Sequence, residues 1–469
     1  MKVKIGLETH VQLNTKTKMF CGCPMERINE AEPNTRCCPT CLGMPGSKPR
    51  TNKAAIEAGI KIALALNCKI NPEISFSRKT YLYPDMSKNF QITQYEIPLA
   101  NGGSLDTIDS KGKAKQIRLE RIHLEEDPAK LQHIGGNITN ASYVLIDYNR
   151  SGVPLVEIVT KPDFSSPKEA RLFLQKLLAV LEYLKVFKTG DFSLKSDANI
   201  SLEGGERIEI KNITGFKEIE DALLYEMVRQ KDVLKKGGKI VRETRAWDEK
   251  AKITRSLRTK EFEEDYGYIF ESDLTKVDIT DKQIDSIRKI LPELPHQKYE
   301  RYLKDFKISS EIAASIVTDL ELAQLYEDIV KEIEPKFTAT WMNILKKTLF
   351  YNDVGLKETK LDKKTFLKLL NLIKEGNVTD RGGEMILREI IFKPEEFDTL
   401  VKKYSKIENI DEIVEEVLKE NGKTVEEVKK GNEKAMEFLI GMVIKKAGKR
   451  VDGKTARSIL EKKIKDCSY

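Results

Sequence analysis

Apolar and polar residues alternate with a period of two in short segments of this chain, and each segment carries an acidic side chain. In Ile5-Gly6-Leu7-Glu8-Thr9-His10-Val11-Gln12-Leu13, Leu7, Val11 and Leu13 fall on one face and Glu8, His10 and Gln12 on the other. The split recurs at Arg121–Asp127, where Ile122 and Leu124 oppose His123 and Glu125, and in the runs containing Asp197 and Glu209. A fifth run, Val153–Val159, is apolar on both faces apart from Glu157, which is costly to bury unless paired, protonated or bound to a metal. If the five strands share one sheet, its polar face gathers Glu8, His10, Glu125, Glu157, Asp197 and Glu209. Such a surface suits hard divalent cations and a polyphosphate, and is read as the active site. One strand of this kind is more simply a sheet wetted on one side; the coincidence of five carries the reading.

Helical signals interrupt the strands. Asn52 can cap a helix over Lys53–Leu66. Ser166-Pro167-Lys168-Glu169 is a capping box opening a helix to about Tyr183, and a third helix covers about Phe216–Lys235 before Gly237-Gly238. From about residue 284 the strand pattern gives way to short helices rich in Lys, Glu, Leu and Ile. Leu291-Pro292-Glu293-Leu294-Pro295 reads as a rigid joint and Lys393-Pro394 as a second boundary. The chain therefore divides into residues 1–283 (mixed), 284–396 (helical) and 397–469 (a helical tail).

Composition narrows the class. A chain of 469 residues that is 40% hydrophobic and 33% charged can build several cores. It has no run of eighteen apolar residues, so no membrane span is expected. Its start, Met1-Lys2-Val3-Lys4-Ile5, does not resemble a signal peptide, and seven cysteines then favour metal binding or free thiols over disulfides. The cytoplasm is the expected compartment. Residues 440–469 hold nine Lys/Arg against three acids, +6 of the whole chain's +7. This basic end suits a nucleic-acid backbone, with a solvated helical surface as the alternative.

The most specific local motif is Cys21-Gly22-Cys23 followed, after fourteen intervening residues, by Cys38-Pro39-Thr40-Cys41. Four soft thiolates in two tight pairs form the ligand set of a closed, structural zinc site, a knuckle over 21–41. Cys37 is adjacent and could substitute, but only Cys38 completes a C-x-x-C with Cys41; Cys68 and Cys467 look incidental. Gly448 through Thr455 fits the P-loop pattern, but the stretch before it, Glu433–Lys446, has helical rather than strand character. The loop Arg78 to Asp85, with Lys79, Tyr81 and Tyr83, could hold phosphates, stack a base or simply form a surface turn.

These segments, read together, resemble the B subunits of the bacterial and archaeal aspartyl/glutamyl-tRNA amidotransferases over essentially the whole chain. The resemblance lies in Gly6 to Leu13, Asn34-Thr35 with Cys38 to Gly46, Arg78 to Asp85, His123 to Asp127, Asn149 to Ile158, Asp197 to Ser201 and Glu209 to Asn212. It implies an α+β fold: a cradle-like catalytic domain with a glutamine-synthetase-like antiparallel sheet and a zinc knuckle, then an all-helical domain, then a small helical tail that binds tRNA. It implies a reaction in which ATP phosphorylates the side-chain carboxylate of Asp or Glu misacylated on tRNA and ammonia then displaces phosphate. Ammonia would come from a glutaminase A subunit, with a small C subunit completing a heterotrimer. Within that reading Glu8, His10, Glu125 and Glu209 are assigned as Mg²⁺ ligands, supported by Glu126, Glu157 and Asp197. Lys79, Tyr81, Arg150 and Lys211 are the candidates for ATP or phosphate contact.

One departure is visible. The family commonly has arginine in an Asp-Tyr-Arg-Tyr stretch where this chain reads Asp265-Tyr266-Gly267-Tyr268. The rival readings are a non-catalytic tRNA-binding scaffold and, resting on Gly448–Thr455 alone, a P-loop NTPase. The acidic strand faces argue against the scaffold, since a phosphate-binding surface without metals would favour Lys and Arg there.

Overall fold

The computed structural model describes residues 2–109, 111–135, 141–187, 195–259, 267–406, 410–448 and 450–466, with the backbone alone at 212, 258, 259 and 466. Asp265, Tyr266, Lys449 and Cys467 thus lie outside the described residues. The chain forms two compact units, Met1–Pro295 and His296–Tyr469, which separate at the proline joint.

The first unit is built on a ten-stranded sheet. Its centre consists of β1 (Val3–Gln12), β2 (Ala114–Glu126), β3 (Pro154–Thr160), β4 (Lys195–Leu202) and β5 (Ile208–Thr214), extended by β6 (Glu243–Asp248) and β7 (Ile253–Thr259). The spatial order is β7-β6-β5-β4-β1-β3-β2, continued by Ala100–Asn101 and Lys69–Ile70. All five segments with the acidic alternation are therefore consecutive neighbours, with β1 in the middle. The sheet departs from the purely antiparallel expectation in one pair: β5 and β6 run parallel. The physical reason is the helix Phe216–Lys235 between them, a crossover that returns the chain to the same end of the sheet.

The helices form where their caps predict. Asn52 Oδ1 accepts from Ala54 N at 2.9 Å to open α1 (Lys53–Ala65). Ser166 Oγ accepts from Glu169 N at 3.3 Å, with Pro167 in the first turn, to open α2 (Pro167–Leu184). With α3 (Phe216–Lys235) they cover the apolar face of the sheet. Leu7 and Val11 of β1, Ile122 and Leu124 of β2, Val156 and Ile158 of β3, Ile200 of β4 and Ile210 of β5 share one core with them. Each such side chain contributes about 1.5–3 kcal/mol on burial. That burial also holds the register, because a one-residue slip of β1 would bury Glu8 and His10 in place of Leu7 and Val11. The short helix Asp281–Lys289 adds Ile287 to the same core.

A separate three-stranded sheet joins Ser77–Thr80, Phe90–Thr93 and Gly267–Phe270. Its register sets Lys79 opposite both Gln91 and Tyr268.

The named elements of the second unit are all helices. Its last part has its own core, with Ile410, Val414, Val417, Leu439, Val443 and Leu460 fully buried. The P-loop reading is overturned here. A helix, Glu433–Lys446, stands where that loop requires a strand, and another follows over Gly453–Asp466. The backbone N–H and the hydroxyl of Thr455 are both taken by the Asp452 carboxylate at 2.8 Å, so neither points to a phosphate. The basic end is also partly neutralised: Lys446 pairs with Glu416 and Glu420, Lys463 with Asp411 and Glu415, and Arg457 with Glu433.

Candidate active site

Cross-strand register assembles the polar face row by row. His10 on β1 stands opposite Glu157 on β3 and Lys195 on β4, and Glu157 stands opposite His123 on β2. In the neighbouring row Glu8 faces Asp197. The β4–β5 register shifts between Ser196 and Ala198, a bulge of the kind that re-aims a side chain, at the residue that must approach Glu209. Among the described residues this yields two groups of three potential metal ligands: His10 with Glu125 and Glu157, and Glu8 with Asp197 and Glu209. Within each group the ligand atoms lie within 4.8 Å of one another. The four ligands assigned from the sequence are thus divided between two triplets, and Glu157 and Asp197 complete them.

Glu126 is not among them. The period of two turns it to the opposite face from Glu125, where its carboxylate accepts from Ile92 N at 2.9 Å and pairs with the ammonium of Lys88. Its role there is to tie the small sheet to β2.

Electrostatics explain how Glu157 tolerates its apolar strand. Its Oε2 lies 3.0 Å from His123 Nε2 and 3.5 Å from His10 Nε2. Burial alone would raise this carboxyl, yet His123 and His10 hold it well below the usual carboxylate range. Burial alone would likewise depress His10, but the hydrogen bond and charge of Glu157, then the charges of Glu125 and Asp197, lift it to about 10. Glu8 is pushed up to about 7 by burial and then by Glu157, Glu209 and Asp197. Crowded carboxyls with protonated histidines as counterions form the arrangement that a divalent cation relieves by displacing protons.

The acidic floor lies in a cavity of about 470 Å³ whose lining includes the expected Lys79, Tyr81, Arg150 and Lys211. The guanidinium of Arg150 is fixed by two carbonyls, Pro128 at 2.9 Å and Ala129 at 2.7 Å. Lys211 reaches Glu209 at 3.2 Å and Asp197 at 3.8 Å, so a cation already leans on the second triplet. Lys195, Arg207 and Arg242 add positive charge to the lining, and Tyr95 stacks on Tyr268 with ring centroids 4.0 Å apart. An added Cβ at Gly267 would meet only Thr80, at an ordinary 3.7 Å, so the backbone does not demand glycine there.

Sequence reasoning left several supporting groups unassigned. The Thr93 hydroxyl donates to Glu125 Oε2 (3.2 Å), Asn199 Nδ2 to Glu8 Oε1 (2.9 Å) and the Thr244 hydroxyl to Glu209 Oε2 (3.1 Å). Asn199 and His123 lay on polar faces already identified by the alternation. Thr93 and Thr244 carried no such signal, because they come from strands without an acidic pattern.

The four cysteines converge near the Pro39–Leu42 turn. Cys23 and Cys41 sulfurs are 4.0 Å apart and those of Cys38 and Cys41 3.8 Å apart. A tetrahedral ion with bonds of about 2.3 Å needs thiolate separations of about 3.8 Å, so the cluster is close enough to hold a metal. Cys38 N donates to Cys41 Sγ at 3.1 Å, and the hydrogen bond from Cys21 draws the Cys41 thiol down to about 4. Cys37 points instead toward Asn149 Oδ1, 3.9 Å away. Cys68 lies apart from the cluster, its sulfur 3.7 Å from Leu66 O.

Comparison with known proteins identifies the family. Residues 3–285 match the model of the GatB/GatE catalytic domain, and residues 324–464 that of the GatB domain. The chain is 42% identical to the B subunit of the aspartyl/glutamyl-tRNA(Asn/Gln) amidotransferase of Methanosarcina barkeri, over 99% of this chain and 98% of that one. It is 43% identical to the protein of the same name in Methanospirillum hungatei, over 98% of each chain. The corresponding Saccharolobus solfataricus protein is 41% identical, over 98% of this chain and 99% of that one.

Proposed function

Because the chain belongs to the family of aspartyl/glutamyl-tRNA amidotransferase B subunits, we propose that it is the ligase subunit that activates and amidates Asp or Glu misacylated on tRNA. The single observation that carries the mechanism is the pair of ligand triplets lying side by side across β1 under a cationic lining. In the first step a side-chain carboxylate oxygen attacks the γ-phosphorus of ATP and ADP leaves. In the second, ammonia attacks the acyl carbon, phosphate leaves and the nitrogen loses a proton. His10, Glu125 and Glu157 would hold one Mg²⁺, and Glu8, Asp197 and Glu209 a second; a set of oxygens with one imidazole fits a hard cation. Bound there, Mg²⁺ supplies charge neutralisation and in-line alignment of two anions that otherwise repel. Arg150, Lys79 and Lys211, which line the cavity, would contact phosphate oxygens, and Tyr81 would pack against a base or ribose.

The other parts of the reading follow the family. The cradle-like, glutamine-synthetase-like architecture is supported by a large, mostly antiparallel sheet whose acidic face is left open by the helices. The thiol cluster holds structural Zn²⁺. A glutaminase A subunit and a C subunit complete a heterotrimer in the cytoplasm; no described helix is long and apolar enough to cross a membrane. The helices from His296 to residue 396 lead on to the tail 397–469, which contacts tRNA.

The deciding experiment supplies misacylated Asp-tRNA and Glu-tRNA to the three-subunit complex and follows ADP release. Release should require Mg²⁺ and rise with charged tRNA; ATP cleavage indifferent to both would sink the reading and favour a scaffold. The isolated chain should not hydrolyse glutamine, because Cys21, Cys23, Cys38 and Cys41 are committed to one another rather than to nucleophilic attack. Release of glutamate from it would overturn the division of labour. Deleting 397–469 should weaken tRNA binding and flatten its salt dependence, by about 0.7–0.9 in log–log slope for each phosphate the tail neutralises. An unchanged slope would mean that the basic end is only a solvated surface.

A further inference from the structure

His123 terminates the row that runs Lys195, His10, Glu157, His123 across β4, β1, β3 and β2. Its side chain is only 4% exposed, at the wall of the acidic cavity. Its Nε2 reaches Glu157 Oε2 at 3.0 Å and Glu125 Oε2 at 3.8 Å. Glu125 turns its other oxygen, Oε1, toward His10 Nε2 at 3.9 Å. The imidazole therefore touches both carboxylates of the first triplet, meeting on Glu157 the same oxygen that His10 approaches at 3.5 Å. Its second nitrogen, Nδ1, is buried and has no hydrogen-bond partner among the described residues. A histidine kept for packing alone would be poorly placed here: an unpartnered buried nitrogen is destabilising, and leucine would fill the space without it. What the ring uniquely provides is one directed N–H toward a carboxylate.

We infer that His123 is a positioning residue of the metal site, donating from Nε2 to Glu157 so that this carboxylate is held ready, with His10 and Glu125, for a divalent ion. The inference rests on the reading of that triplet as a metal site. Glu157 comes from a strand otherwise apolar on both faces, and once His10 turns to a metal ion His123 is the remaining imidazole that holds its carboxylate. Partners that orient metal-ligating side chains commonly govern affinity by about 10–100-fold.

The test uses Mn²⁺ as a probe, with free Mn²⁺ followed by electron paramagnetic resonance as it is titrated into the full-length chain. Glu157→Gln first identifies the component of binding that depends on the triplet. His123→Leu should weaken that component by about 10–100-fold, and His123→Gln, whose amide nitrogen can take the place of Nε2, should recover most of it. Zinc content and melting temperature, measured alongside, should match between the two variants. Equal Mn²⁺ affinity in His123→Leu and His123→Gln, with Glu157→Gln still defective, would overturn the positioning role while leaving the metal site intact. Undiminished binding in Glu157→Gln would show that the triplet is not a metal site, and both readings would then fail. If His123→Leu does not fold, His123→Gln and His123→Asn decide it: Asn cannot reach Glu157, so equal binding by the two refutes the role.

Discussion

Replacing His10 by alanine should lower amide formation from misacylated tRNA, with ammonia supplied directly, by about two orders of magnitude or more. Glu209→Ala should do the same, although the two residues lie on strands β1 and β5, separated by β4. External ammonia bypasses the glutaminase, so the loss would report the kinase and amidation steps alone. Each residue belongs to a different triplet. Removing either leaves phosphate or carboxylate charge uncompensated just as the two anions must meet. Folding and tRNA affinity should change little, because both side chains face the cavity rather than the apolar core. Near-normal turnover in both variants with Mg²⁺ and ATP would mean that the acidic face is not the active site.

The second large effect is expected at the cysteine cluster. Cys38→Ser combined with Cys41→Ser should abolish copurifying zinc, about one ion per chain in the parent protein. It should also lower the melting temperature of the first unit by on the order of 10 °C. Cys41 sits at the centre of this effect: it is buried, lies within 4.0 Å of two other sulfurs, and has the buried Lys18 ammonium 3.7 Å from its own. Without an ion, the clustered thiols would be left with each other, the Cys38 backbone and Lys18 in place of four metal bonds. Cys37→Ser is the control and should keep its zinc, since that sulfur faces Asn149. Zinc retained in the double variant, or lost in the control, would show that the ligand set is wrong.

Much of the site was legible because its chemistry is written in local periods. Strand alternation places Glu8 and His10 together on one side of β1 whatever lies beside them. The same rule requires Glu125 and Glu126 to part, and Lys88 and Ile92 show where Glu126 goes. The basic end was less legible. The acidic helix Asp411–Glu420 lies outside 440–469 in the chain, yet its Asp411, Glu415, Glu416 and Glu420 take Lys446 and Lys463 in the fold.

By itself the sequence determined which faces are polar, which cysteines can pair in a turn, where the helices α1, α2 and α3 begin, and that Glu157 needed a partner. Those properties depend on neighbours within a few residues, where backbone geometry alone sets direction. Tertiary structure decided who the neighbours are. It placed β1 between β3 and β4, more than a hundred residues away along the chain, and divided six ligands into two triplets. It also bulged β4 at Asp197, made β5 and β6 parallel, and set His123 opposite Glu157. Strand order and register arise from burying one continuous apolar face against three helices, a property of the whole unit that no single segment carries.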